Sequence, residues 1–368
     1  MHTKKIDKFF LTTVIILIIL GIGMFVSASL GFLARNEKIF YNVLFTQLVL
    51  GFGIGILGMY FSYKIDYKIL RKYSLYIFLF SIAITALVFV PGLGWSHGGA
   101  ERWIKLPFLG TFQPVEILKF GFIIYFAAWL SWAKNKVKDF KFSILPLLIM
   151  IGIIAAVLLK QPDTKSLILI IITGLAMIFF ANVPVKYIFG LIVFSGILFS
   201  VLIFFTPYLQ SRIKTFMDPS SDPRGSSYQI QQSMIAIGSG GIFGRGYGQS
   251  VQKFNYLPEP QGDSIFAVLG EELGLIGTIF TVLLYSFFAL RGLRIANRSP
   301  DLFSRLLVCG IVILITAQSF MNIASITGVF PLTGVPLVFM SQGGTSLMIY
   351  LIALGVVLQI SKFQKKSE

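Results

Sequence analysis

Asp263 is the residue on which chemistry is most readily built. It follows LPEPQG and opens an apolar run, with Glu271 and Glu272 two to three helical turns further on. The dipole at the start of a helix favours the ionised form of a carboxylate, and an ionised carboxylate is a competent general base. Aspartate is also a common helix cap, and residue type and position leave both readings open. Glu116 and Lys119 stand three residues apart in QPVEILK, on one helix face, where they either neutralise each other near a membrane boundary or serve a site. Arg102 and Lys105 bracket Trp103 in GAERWIKLPF, which reads as an aromatic-belt anchor or as a cationic patch beside an anionic headgroup. Asp163 and Lys165 in KQPDTKS, with Arg212, Lys214 and Arg245 further along, add charge to the same side. Glu271 and Glu272 are read as structural.

Other chemistries are excluded by residue supply. His2 and His97 are the only histidines and Cys309 the only cysteine, so no zinc, iron-sulfur or disulfide framework is expected, nor a haem site. The glycines from Gly238 to Gly248 match neither a Walker loop nor a dinucleotide fingerprint; they read as tight turns and close backbone approach, so no nucleotide is expected. Oxygen ligation of Mg²⁺ or Mn²⁺ by carboxylates stays open, because such ions need few protein ligands when a substrate brings phosphates.

The elements that must position these residues are membrane helices. The chain is 56% hydrophobic and only 12% charged, which excludes a soluble catalyst, and apolar runs recur from Phe10 to Ile360 as one continuous unit, 1–368. Ten runs qualify as spans: 10–30, 39–60, 73–91, 114–132, 142–159, 166–181, 185–205, 263–291, 303–323 and 334–360. The fold class expected is therefore all-α, polytopic, with ten transmembrane helices. The net charge of +16 would suggest nucleic acid in a soluble chain. Here its position explains it without nucleic acid: Lys64, Lys68, Arg71, Lys72, Lys134, Lys136, Lys138, Arg291, Arg294, Arg298 and the basic chain ends, including Lys4 and Lys366, all fall on one side. The positive-inside rule then makes both termini cytoplasmic. A long extracytoplasmic loop, 206–262, separates helices seven and eight, and YQIQQSMIAI within it places Ile230, Met234 and Ile237 at helical spacing, as for a short helix on the membrane surface.

Four segments carry a resemblance to the SEDS family (shape, elongation, division and sporulation), which includes FtsW, RodA and SpoVE: GAERWIKLPFLGTFQPVEILKF at 99–120, QPDTKS at 161–166, the stretch from RIKTF to EELGLIG at 212–277, and GVFPLTGVPLVFMSQGGTSLM at 328–348. The resemblance implies a ten-helix glycosyltransferase of the cytoplasmic membrane that polymerises lipid II on its outer face. The expected partner is a class B penicillin-binding transpeptidase, within the divisome or the elongasome. It maps the family's essential aspartate onto Asp263 and the acid and base of QPxExxK onto Glu116 and Lys119. Asp263 would then accept the proton of the acceptor sugar's 4-hydroxyl, while Lys119, Arg102, Arg212 or Arg245 would offset charge on the leaving diphosphate. Glu116 would orient Lys119. The motifs lean towards the division-type, FtsW-like members; an elongation role like that of RodA, lipid II flipping, and a noncatalytic scaffold for a transpeptidase are the alternatives. Three positions depart from the family pattern: QGDS at 261–264 where HTDF is common, Lys165 where glycine is common, and Val338 where proline is common.

Overall fold

The computed structural model describes all residues except 1–4, 35, 98–99, 107–109, 219–225 and 366–368. Lys4 and Lys366 therefore lie outside the described residues. The principal elements are α1 (Lys8–Leu33), α2 (Glu37–Lys64, with a π-helical stretch at Thr46–Gly53), α3 (Ser74–Phe89), β1 (Gly94–His97), β2 (Ala100–Leu106), β3 (Gly110–Phe112), α4 (Val115–Ala133), α5 (Phe140–Lys160), α6 (Thr164–Phe180), α7 (Val185–Phe205), α8 (Pro207–Met217), α9 (Ser226–Ser239), α10 (Ile265–Asn297), α11 (Leu302–Ile326) and α12 (Gly344–Ser361), with short helices at Tyr67–Lys72 and Lys134–Lys138 between them. Among the described residues eight helices are long and apolar enough to cross a membrane, which makes this a multi-pass membrane protein. Two further expected spans appear as the shorter apolar helices α3 and α6.

α11 and α12 form the buried centre, and α7 at the periphery is almost bare of protein contact. The two chain ends meet at one end of the bundle. The Asp7 amide donates to Ser361 Oγ at 3.2 Å, Arg291 Nε lies 3.0 Å from Asp7 Oδ1, and the Lys365 amide donates to the Arg298 carbonyl at 2.9 Å. Tyr67 donates to Asp301 at 2.7 Å on the same side.

Two local expectations are corrected, and a sheet occupies the connection between two spans. The segment 94–112, between the third and fourth expected spans, is a small antiparallel sheet, β1-β2-β3, with Ile104 paired to both Gly94 and Phe112. The last span starts only at Gly344, and 334–343 is irregular. Pro336 has no amide to donate, and Gly334 and Phe339 take positive φ of 64° and 73°, which a helix does not allow. Finally, α9 is helical as expected but buries a different stripe. Ser227, Ile230, Ser233 and Ala236 face inward while Met234 is exposed. α9 approaches α10 closely at Gly270, where a Cβ would lie 3.0 Å from Ile237 Cγ1.

The loop after α9 explains its glycines. α10 breaks at Gly274, with φ 66° and ψ −163°. Backbone groups left over by the break are satisfied by the loop: the Arg245 and Gly246 amides donate to the Glu271 and Glu272 carbonyls at 3.0 Å, and the Leu275 and Ile276 amides donate to Gly241 and Ile242 at 2.9 and 3.2 Å. Broken backbone within a membrane bundle requires such partners. A Cβ on Gly244 or Gly274 would overlap the backbone opposite, so this crossing demands glycine on both sides.

Candidate active site

Asp263 sits in the turn immediately ahead of α10, one residue before the N-cap Ser264, and caps nothing: α10 has no side-chain cap. Its turn is fixed from several directions. Asn322 Nδ2 on α11 donates both protons, to the Asp263 carbonyl at 2.8 Å and the Val335 carbonyl at 2.7 Å. Ser341 Oγ donates to the Gly262 carbonyl at 2.7 Å, the Gln342 amide to the Gln261 carbonyl at 2.7 Å, and Gln229 Nε2 on α9 to Ser264 Oγ at 3.0 Å. The half-buried Asp263 carboxylate itself accepts no hydrogen bond and makes no ion pair among the described residues. A held backbone carrying an uncommitted carboxylate is the arrangement a general base needs.

Gly334 marks the space in front of that carboxylate. A Cβ placed there would lie 3.1 Å from Asp263 Oδ2, 3.7 Å from Arg212 Nη2 and 3.9 Å from Lys165 Nζ, so one carboxylate oxygen and two cationic nitrogens surround a single point. The cations are held off the carboxylate by backbone carbonyls. Arg212 Nη1 donates to Leu332 O and Lys165 Nζ to Gly334 O. Arg212 comes from α8, with its guanidinium 4.6 Å from the centre of the Tyr208 ring. Burial pulls the Arg212 pKa below its ordinary value; the charges of Tyr208 and Asp263 oppose this, and Arg102 adds to the fall. Lys165 occupies the first turn of α6, whose N-cap is the buried Asp163, bonded to the Ser166 amide at 3.4 Å and the Ser166 hydroxyl at 2.8 Å. Arg102, from β2, braces the turn that leads into α6: Nε donates to Gln161 O at 3.2 Å and Nη2 to Pro162 O.

Glu116 and Lys119 form a buried node beside this site. Lys119 Nζ lies 2.8 Å from Glu116 Oε2 and donates to Gln318 Oε1 at 3.0 Å and Tyr350 Oη at 2.9 Å. Gln318 Nε2 donates in turn to the Pro336 carbonyl at 3.2 Å, one helical turn along α11 from Asn322. Gln318 and Asn322 therefore hold the 335–336 backbone together, and the Glu116–Lys119 pair anchors the first of them. Arg245 lies elsewhere, with Nε 3.6 Å from Glu271 Oε1, two turns along α10. Glu271 and Glu272 clamp the loop after α9. Glu271 accepts from Ser250 Oγ at 2.6 Å and the Val251 amide at 3.0 Å; Glu272 pairs with Lys253 at 2.7 Å, both fully buried, and accepts from Ser27 at 2.6 Å. Their structural reading fits these partners.

Of the residues picked out by sequence, the fold brings together Asp263 and Arg212, while Arg102 braces the turn ahead of α6. Lys165, Asn322 and Gly334 were missed as site members. Asn322 and Gln318 carried a signal, being amides in an otherwise apolar span. The protein's own donors do not by themselves form a Mg²⁺ or Mn²⁺ site. Hard cations take several oxygen ligands, whereas here one carboxylate faces two cations, and no group of three or more His, Cys, Asp or Glu exists among the described residues.

Fold and site define a polytopic helical membrane protein with a charged site built around one carboxylate at the start of a broken helix. The chain belongs to the FtsW/RodA/SpoVE family of cell cycle proteins, whose family model matches residues 7–366. It is 37% identical to stage V sporulation protein E of Bacillus subtilis (strain 168), over 99% of this chain and 100% of that protein. It is 38% identical to a probable peptidoglycan glycosyltransferase FtsW of Geobacter sp. (strain M18), over 96% of each. In fold it is similar to a chain from a peptidoglycan synthase complex, described as coordinating polymerization and crosslinking, with a TM-score of 0.79 and 24% identity over 98% of this chain and 99% of that one. The rod shape determining protein RodA of Thermus thermophilus gives a TM-score of 0.71 and 22% identity over 98% of both chains.

Proposed function

We propose that this chain is a peptidoglycan glycosyltransferase that polymerises lipid II at the outer face of the cytoplasmic membrane, working with a class B penicillin-binding transpeptidase. The observation that carries this is the uncommitted Asp263 carboxylate facing Arg212 and Lys165 across the space at Gly334. In the reaction, the acceptor's 4-hydroxyl oxygen forms a bond to the donor's anomeric carbon and gives its proton to the Asp263 carboxylate. The bond from that carbon to the diphosphate oxygen breaks, and the leaving diphosphate keeps the electron pair. A diphosphate needs no protonating acid to leave, so one carboxylate suffices. The guanidinium of Arg212 meets the charge on the departing group. Arg102 holds the turn ahead of α6, and the Glu116–Lys119 node holds the backbone in front of the base.

Relatives named FtsW, at 38% and 35% identity, support a division role, with stage V sporulation protein E equally near at 37%. The relative described as a synthase complex supports a crosslinking partner. A cytoplasmic position for both termini is supported by their meeting at the end of the bundle that carries Arg291 and Arg298. The test is to supply purified chain and its cognate transpeptidase in proteoliposomes with lipid II. Glycan strands should form on the face to which lipid II was added. Movement of lipid II to the opposite leaflet without strands would replace this reading with transport.

A further inference from the structure

Lys165 is a third cation that the reaction above does not use. Its Nζ faces the Cβ position of Gly334 from 3.9 Å, the same position that Asp263 Oδ2 and Arg212 Nη2 face from 3.1 and 3.7 Å. It donates to the Gly334 carbonyl, and among the described residues it has no other acceptor, which leaves two ammonium protons free for a ligand. The tether also fixes the long side chain, so little rotamer freedom remains to be lost on binding. Arg212 and Lys165 place two positive charges beside the single Asp263 carboxylate, an excess that favours a bound anion. The same charges repel a divalent cation from the one carboxylate present.

Resting on the proposed function, we propose that Lys165 and Arg212 form the subsite for the diphosphate of the lipid-linked donor, and that Lys165 supplies there the positive charge that a divalent metal would otherwise bring. Two nitrogens from different helices, α6 and α8, clamp the diphosphate from two sides, with Asp263 left facing the acceptor hydroxyl. The shared chemistry is recognition of a lipid diphosphate without metal.

The test is binding of undecaprenyl diphosphate to the purified full chain in detergent, in EDTA and in Mg²⁺ or Mn²⁺. Unsubstituted protein should bind within about twofold in all three conditions. Lys165→Met should weaken binding roughly ten- to a hundredfold, the range expected for a lost charge-assisted bond, and added metal should recover part of the loss. Lys165→Arg, which keeps the charge and the tether, should stay within about threefold and guards against a folding artefact. Binding by Lys165→Met equal to the unsubstituted protein overturns the proposal; so does a requirement for metal in the unsubstituted protein, or no binding in any condition. Asp263→Asn should bind the same probe undiminished. If that variant polymerises lipid II normally, the assignment of the base fails while the diphosphate subsite stands on its own binding result.

Discussion

Gly334→Ala separates the chemistry of the site from its stability. Gly334 has a φ of 64°, and an alanine forced into that region costs about 1–2 kcal/mol. The added methyl would sit 3.1 Å from Asp263 Oδ2, closer than ordinary van der Waals contact, and within 4 Å of the Arg212 and Lys165 nitrogens. It would displace the carboxylate and fill the space where, on the proposed function, diphosphate and acceptor meet. A misplacement of about 1 Å in a reacting geometry costs on the order of a hundredfold. Gly328→Ala is the control: its φ of 72° carries the same backbone cost, but the nearest atom to its Cβ is Met234 Sδ at 4.0 Å. Lipid II polymerisation with the cognate transpeptidase, read alongside thermal unfolding in detergent, should give similar small losses of stability in both variants. kcat/KM should fall about a hundredfold only in Gly334→Ala. Equal activity in the two variants would refute the placement of the reacting space.

Lys253→Met removes one partner of a pair in which both side chains are fully buried and strands Glu272, so it should destabilise the protein by about 3–5 kcal/mol, measured as a large fall in unfolding temperature. Asn322→Leu releases the Asp263 and Val335 carbonyls; kcat should drop about tenfold or more with KM for lipid II little changed, while Asn322→Gln recovers part of the loss. Gly274→Ala puts a methyl into the Gly244 backbone, and the loop at 241–246 should be expelled from the break in α10, seen as new protease sensitivity between Gly241 and Gln252.

The helices were legible because twenty apolar residues have few other fates, and Asp263 because a charge at the edge of such a run is costly unless used. The glycines between Gly238 and Gly248 were legible as close approach, but their partner was not: nothing in EELGLIG announces that α10 breaks at Gly274. The sheet at 94–112 was hidden by Trp103, Arg102 and Lys105, whose types suit a membrane boundary as well as a strand. Lys165 stood out only as a departure from a family pattern. Its place beside Asp263 depends on α6, α8, the turn before α10 and the irregular 332–343 segment converging, which no local spacing encodes. Arg245 shows the converse. A loop cation of the right type was drawn to Glu271, because a buried carboxylate competes strongly for the nearest guanidinium.

In the proposed reaction the Asp263 carboxylate takes the acceptor's proton. Asp263→Asn keeps the size and the Asn322 bond to the backbone carbonyl while removing the base. Lipid II polymerisation by the purified variant with its cognate transpeptidase should fall by about 10²–10⁴-fold, the contribution of a general base, with the protein still folded and still binding undecaprenyl diphosphate. Glycan strands made at the rate of the unsubstituted chain would contradict it.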